Sequence, residues 1–202
     1  GACASRRLVR TESAYLAGQA DQLAYEELGI DRYRYLATLD MRTSSLCQGL
    51  DGRQFDRAEA KVGVNYPPMH PNCRSTTVAV IDDEALEGME RRAKNPVTGE
   101  TELVPAHMSY DKWLQELEEK YGVDSLAVSR KKVLNARQDR AQLKEYRRVL
   151  GNRVPRSLDA FQTLKYTDNN QWQLRKLDYS RRMDLQEHPE KALPMADRAT
   201  AA

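Results

Sequence analysis

No run of about 18 apolar residues occurs in this 202-residue chain, so the sequence predicts no membrane-spanning helix. The first residues, GACASRR, lack the apolar stretch of a signal peptide, which argues against secretion by that route. Cysteine is scarce: Cys3, Cys47 and Cys73 make an odd count, which does not suit a disulfide framework and favours a reducing compartment. There is no glycine-rich phosphate loop, no HExxH, no GxSxG and no CxxC, because position 44 is serine. An overall excess of one charge is also missing, since the formal net charge is only +2.

What is present is a polar but globular composition, with 40% hydrophobic and 31% charged residues and a mean hydropathy of -0.77. That balance predicts long exposed helices and a loose tail. The charge is unevenly placed: residues 123–182 hold 15 Lys and Arg against 6 Asp and Glu, and the remainder holds 17 against 24. A basic C-terminal module on a slightly acidic body follows. Lys131, Lys132, Arg137, Arg140, Lys144, Arg147 and Arg148 are its candidates for nonspecific DNA contact.

Along the chain, Leu8, Ala14 or Tyr15, Leu16, Leu23 and Leu28 recur at helical spacing before Gly29, which predicts a core-packing helix over 6–28. RYRYLATLD then alternates, Tyr33 and Tyr35 on one side and Arg32 and Arg34 on the other, and predicts a strand over 32–39. A capped helical turn over 40–52 and the LDGRQF hairpin signal follow. Pro67, Pro68 and Pro71 make residues 57–72 a stiff loop, and CRSTTVAVI reads as a strand pairing with 32–39. Beyond it the sequence predicts a helix over about 83–93, a turn at 95–100, and helices over about 110–122, 124–150, 158–164 and 170–187.

Reactive side chains collect between Tyr33 and Val80. Cys47, His70 and Cys73 offer thiolate and imidazole ligands that suit zinc, with Asp40 or His107 as candidates for a fourth. The alternative is that both cysteines are small buried hydrophobes and His70 bonds within the loop. A nucleophilic site is also conceivable on paper, with Cys47 or Cys73 as thiolate, His70 as base and Asp40 as orienter. Asp40, Arg42, Asp51 and Arg74, with Arg10 and Glu12 from the first helix, read as a structural polar network. Tyr33, Tyr35 and Tyr66 could stack bases, although tyrosine in half-buried strands is ordinary.

RTE, then YLATLDMRTSSLCQGLDGRQF and NYPPMHPNCRSTTV, resemble the signature of the phage Mu F-like minor head proteins, the phage head morphogenesis family, over about residues 5–81. The resemblance implies a minor capsid protein of a tailed phage or prophage, in the virion and in the host cytoplasm during assembly. It also implies contacts with portal, scaffold or coat, a part in capsid assembly or DNA packaging, and no enzymatic activity. Many family members have cysteine where this chain has Ser44 and Ser75, so of the family's suspected metal ligands only Cys47, His70 and Cys73 match here. By the same resemblance this is the C-terminal part of a longer protein. The rival is a phage-borne toxin-like or nuclease-like enzyme using Asp40, His70 and a cysteine.

The expected fold class is α+β, a small antiparallel sheet with an N-terminal helix and a Pro-rich loop, followed by a mostly α-helical extension. The expected domains are a core over 1–105, a basic helical extension over 106–190 and a flexible tail over 191–202. No resident cofactor is expected apart from the candidate zinc.

Overall fold

The computed structural model describes residues 2–81 and 88–191, the side chain of Cys3 excepted. The fold is α+β, and the chain divides after Leu126 into two compact units.

The first unit opens with α1 (Ala2–Glu27), which ends where Gly29 takes φ 65°. Its packing face is not the apolar one. Thr11, Ala14, Gly18, Gln22 and Tyr25 turn inward, whereas Leu8, Tyr15, Leu16, Leu23 and Leu28 stay 41–72% exposed. This corrects the expected core stripe, and its cause is Tyr66. The Tyr66 hydroxyl donates to Gly18 O at 2.8 Å, and a Cβ on residue 18 would stand 3.0 Å from the Tyr66 ring. The helix therefore presents small residues to the body.

The three-stranded sheet has order β2-β1-β3 and is antiparallel throughout, built from β1 (Arg32–Leu36), β2 (Gln54–Asp56) and β3 (Thr76–Ala79). Tyr33 and Tyr35 are fully buried, as the alternation requires. Tyr33 meets Phe55 and Tyr66 at ring centroids 5.7 and 5.1 Å apart, while Tyr35 packs with Ala37, Cys47, Met69 and Cys73. Burial of all three tyrosines removes them as stacking platforms for bases. Between β1 and β2 lies α2 (Ser45–Leu50), capped by the Ser44 hydroxyl, which accepts from Cys47 N–H. Between β2 and β3 runs the Pro-rich loop, with a cis Pro67–Pro68 bond and Asn72 at φ 61°.

The helix expected over about 83–93 does not run through its described C-terminal part, which is a strand. Residues 82–87 lie outside the described residues, and Glu90–Lys94 is β4, paired antiparallel with β5 (Thr101–Pro105). The intervening turn decides this. Asn95 is fully buried, its side-chain oxygen accepts from Val97 and Thr98 N–H, and Gly99 takes φ 75°. Helix α3 (Tyr110–Tyr121) follows the Ser109 cap. It belongs to the first unit, which therefore extends past residue 105, because Tyr110 donates its N–H to Asp51 at 2.7 Å and its hydroxyl to Asp40 O at 3.0 Å.

The division falls inside α4 (Val123–Leu150), and the second unit adds α5 (Leu158–Thr167) and α6 (Asn169–Glu187). Its core is Leu143, Tyr146, Val149, Leu150, Val154, Phe161 and Trp172, with Tyr146 stacked on Trp172 and Tyr179. Asp139 is fully buried beneath them, bound by Gln162 (2.7 Å), Lys165 (2.7 Å) and Tyr166 (2.9 Å). Residues 192–202, the expected tail, lie outside the described residues. No helix among the described residues is long and apolar enough to cross a membrane.

Candidate metal centre

Three elements bring the reactive residues together. Helix α2 supplies Cys47 on its inner face, and the end of the Pro-rich loop supplies His70 and Cys73 beneath the Tyr33–Tyr35 side of β1. The cap at Ser44 fixes α2, and the Cys73 N–H donates to His70 O at 3.0 Å, which closes the loop into a tight turn. The ligand atoms of Cys47, His70 and Cys73 all lie within 4.8 Å of one another. Neither Asp40 nor His107 joins that group among the described residues.

The His70 ring is oriented from behind. Its Nδ1 stands 3.0 Å from Pro71 O, which can only accept, so Nδ1 carries the proton and Nε2 keeps a lone pair. That Nε2 faces Cys47 Sγ at 3.3 Å and the Ser44 hydroxyl at 2.9 Å. A backbone carbonyl holding one ring nitrogen while the other faces thiols is the usual outer support of a metal-bound imidazole. The two sulfurs are 3.9 Å apart. Bonds of the usual zinc lengths at tetrahedral angles place two sulfurs about 3.8 Å apart and a sulfur and nitrogen about 3.6 Å apart. Those two separations suit a zinc-sized ion held by Cys47, and the Ser44 hydroxyl stands beside the group, 2.9 Å from His70 Nε2.

The sulfurs also share one proton unequally. Cys47 accepts from Cys73, which together with the hydroxyls of Ser44, Ser75 and Tyr35 draws its thiol well below the ordinary range despite burial. Donating that hydrogen bond, together with burial, pushes Cys73 up.

The expected polar network forms only in part. Arg74 grips Asp40 with both terminal nitrogens, at 2.5 and 2.8 Å, and Asp40 also accepts from Arg42 N–H and the Thr43 hydroxyl. Burial alone would raise the Asp40 pKa, but these donors outweigh it and the net shift is downward. Asp51 pairs with Arg91, a partner the sequence did not suggest because β4 reads as helix. Arg10, Glu12 and the Arg42 side chain are exposed and stand outside the network, contrary to expectation. Asp40 does not orient His70, so the Cys–His–Asp line is not assembled: the Nδ1 it would need is held by Pro71 O.

On α4, Lys131, Arg137, Arg140, Lys144 and Arg147 are exposed, and the last four recur at helical spacing opposite the core. Lys132 is instead tied to Asp159 and Thr163 at 2.8 Å each, and Arg148 to Glu145 at 2.6 Å.

Residues 3–78 match the family model described as Phage Mu protein F like protein. An uncharacterized protein of Haemophilus influenzae is 30% identical over 76 residues, covering 38% of this chain and 17% of that protein. A protein of Enterococcus faecalis named NAD(+)--arginine ADP-ribosyltransferase EFV is 31% identical over 121 residues, covering 53% of this chain and 23% of its own length. The chain thus spans less than a quarter of either curated relative. No solved structure matches. The match to the phage Mu F-like model falls on the residues that hold β1, α2, β2 and all three clustered ligands.

Proposed function

We propose that the chain is a non-enzymatic minor capsid component of a tailed phage or prophage, acting in head morphogenesis by contact with portal, scaffold or coat protein. The Mu F-like match over the whole site-bearing segment is the observation that carries this reading. Within it, Cys47, His70 and Cys73 would hold a zinc ion, which would supply a crosslink between α2 and the Pro-rich loop and so fix the fold. The exposed α4 stripe of Arg137, Arg140, Lys144 and Arg147 would add nonspecific contact with packaged DNA.

The test is particle association. An epitope-tagged chain produced during prophage induction should co-sediment with purified procapsids or virions. Absence from both, together with a full particle yield in a deletion strain, would sink the assignment. For the α4 stripe, duplex DNA binding should fall steeply with salt, and no binding at low salt would remove that part alone.

The enzymatic rival is less favoured by the geometry, since Asp40 is engaged by Arg74 and His70 Nδ1 by Pro71 O. The name of the Enterococcus relative attaches to a protein of which this chain covers 23%. Nicotinamide release from NAD with an arginine acceptor should stay at background; turnover above it would overturn the non-enzymatic reading.

A further inference from the structure

The first turns of α1 carry Arg6, Arg7 and Arg10, the turn before α2 carries Arg42, and the residue after Cys73 is Arg74. With Asn72, these arginines line one open cleft of about 620 Å³. Among the described residues no carboxylate lines it. The side chains of Arg6, Arg7, Arg10 and Arg42 make no ion pair or hydrogen bond among the described residues.

The walls are fixed rather than adventitious. The Asn72 N–H donates to Thr11 Oγ1 at 3.2 Å, pinning the helix wall to the loop wall. Asp40 holds the opposite side, accepting from Arg42 N–H at 2.8 Å and from the Arg74 fork. Like charges held around one concavity raise its potential and favour an anion within it. Among the described residues every cation there is arginine, with no lysine. The planar guanidinium fork matches an oxyanion bidentately, as an ammonium does not. Five arginines around a cleft of about 620 Å³ bring more positive charge than a single phosphate neutralises, which favours a ligand with more than one.

We propose that this cleft binds a ligand carrying two or more phosphate groups, the diphosphate of a nucleotide or neighbouring phosphodiesters of a nucleic-acid strand. It goes beyond the α4 contact proposed above and does not depend on it. A smaller cavity beside Cys47 shares Arg42, His70, Asn72 and Arg74 with the cleft, so a bound phosphate would lie next to the cysteine–histidine cluster.

The experiment uses the full chain and a fluorescent oligothymidylate of about 12 nucleotides, with anisotropy read at about 50 and about 200 mM salt. Inorganic pyrophosphate, ATP and unlabelled oligonucleotide serve as competitors. The double variant R10Q/R42Q, in which both side chains are exposed, should melt at the wild-type temperature. It should bind at least about tenfold more weakly and flatten the log-log salt slope by about 1.4, the share of two cations on a single strand. The α4 variant R137Q/R140Q should retain the cleft-dependent binding. Displacement by pyrophosphate or ATP supports the proposal with a nucleotide as the source, and displacement by oligonucleotide alone supports it with a strand. The proposal is overturned if no phosphate probe binds at low salt, or if R10Q/R42Q binds like wild type.

Discussion

Arg91 closes over Asp51, Nη1 lying 3.2 Å from both carboxylate oxygens and Nη2 3.1 Å from Oδ1. The carboxylate is fully buried and also accepts from Ala37 N–H at 2.6 Å and Tyr110 N–H at 2.7 Å. Arg91 in turn donates to Ala37 O and Met108 O. One ion pair thus joins the turn after α2, the end of β1, the β4–β5 hairpin and the start of α3. Removing one partner strands a buried charge, so R91M should lower stability by about 3–5 kcal/mol in urea denaturation. A loss below about 1 kcal/mol would show that the pair is dispensable.

Asp139 is the corresponding hub of the second unit. Burial pushes its pKa up, but Lys165, Gln162 and Tyr166 hydrogen-bond the carboxylate and the net shift is downward. A depressed folded-state value means that the stabilisation is fully present above the unfolded value near about 3.9 and is lost as pH falls through the folded value. Wild type should therefore lose stability on acidification below about pH 4, and D139N should be weaker at neutral pH with a flatter acid limb. Parallel pH profiles for the two proteins would contradict this.

Glycine 18 illustrates close approach rather than a need for positive φ. Replacing a helical glycine by alanine ordinarily gains about 0.5–1 kcal/mol. Here the new Cβ would meet the Tyr66 ring at 3.0 Å and Pro67 O at 3.3 Å, so G18A should show none of that gain. G18L should cost about 1–3 kcal/mol by overpacking. G49A, in α2 with nothing within 4 Å, should show the ordinary gain and serves as the control. A stabilised G18A would mean that Tyr66 gives way.

Metal analysis of chain purified without chelator should find about one zinc per chain. C47S and H70A should each lower zinc affinity severalfold or more and reduce the melting temperature, whereas S44C should raise affinity by restoring a fourth soft ligand. Less than half an equivalent in wild type, with no thermal shift on adding zinc, would identify the cluster as packing only.

The sequence by itself determined the elements whose signals are local. The tyrosine alternation of β1, the capped turn over 40–52, the Gly29 stop and the prolines each act within a few residues, and the structure follows them. The grouping of Cys47, His70 and Cys73 was also legible, because the two strands that frame it pair with each other. Three features depended on contacts far apart in the chain. The face α1 buries was set by Tyr66 against Gly18, over the stronger apolar stripe. The fate of 90–94 was set by pairing with 101–105, since charged residues carry no clear period. The partner of Asp51 and the gathering of five arginines around one cleft were fixed only in tertiary structure, because long-range pairing has no spacing in sequence to reveal it.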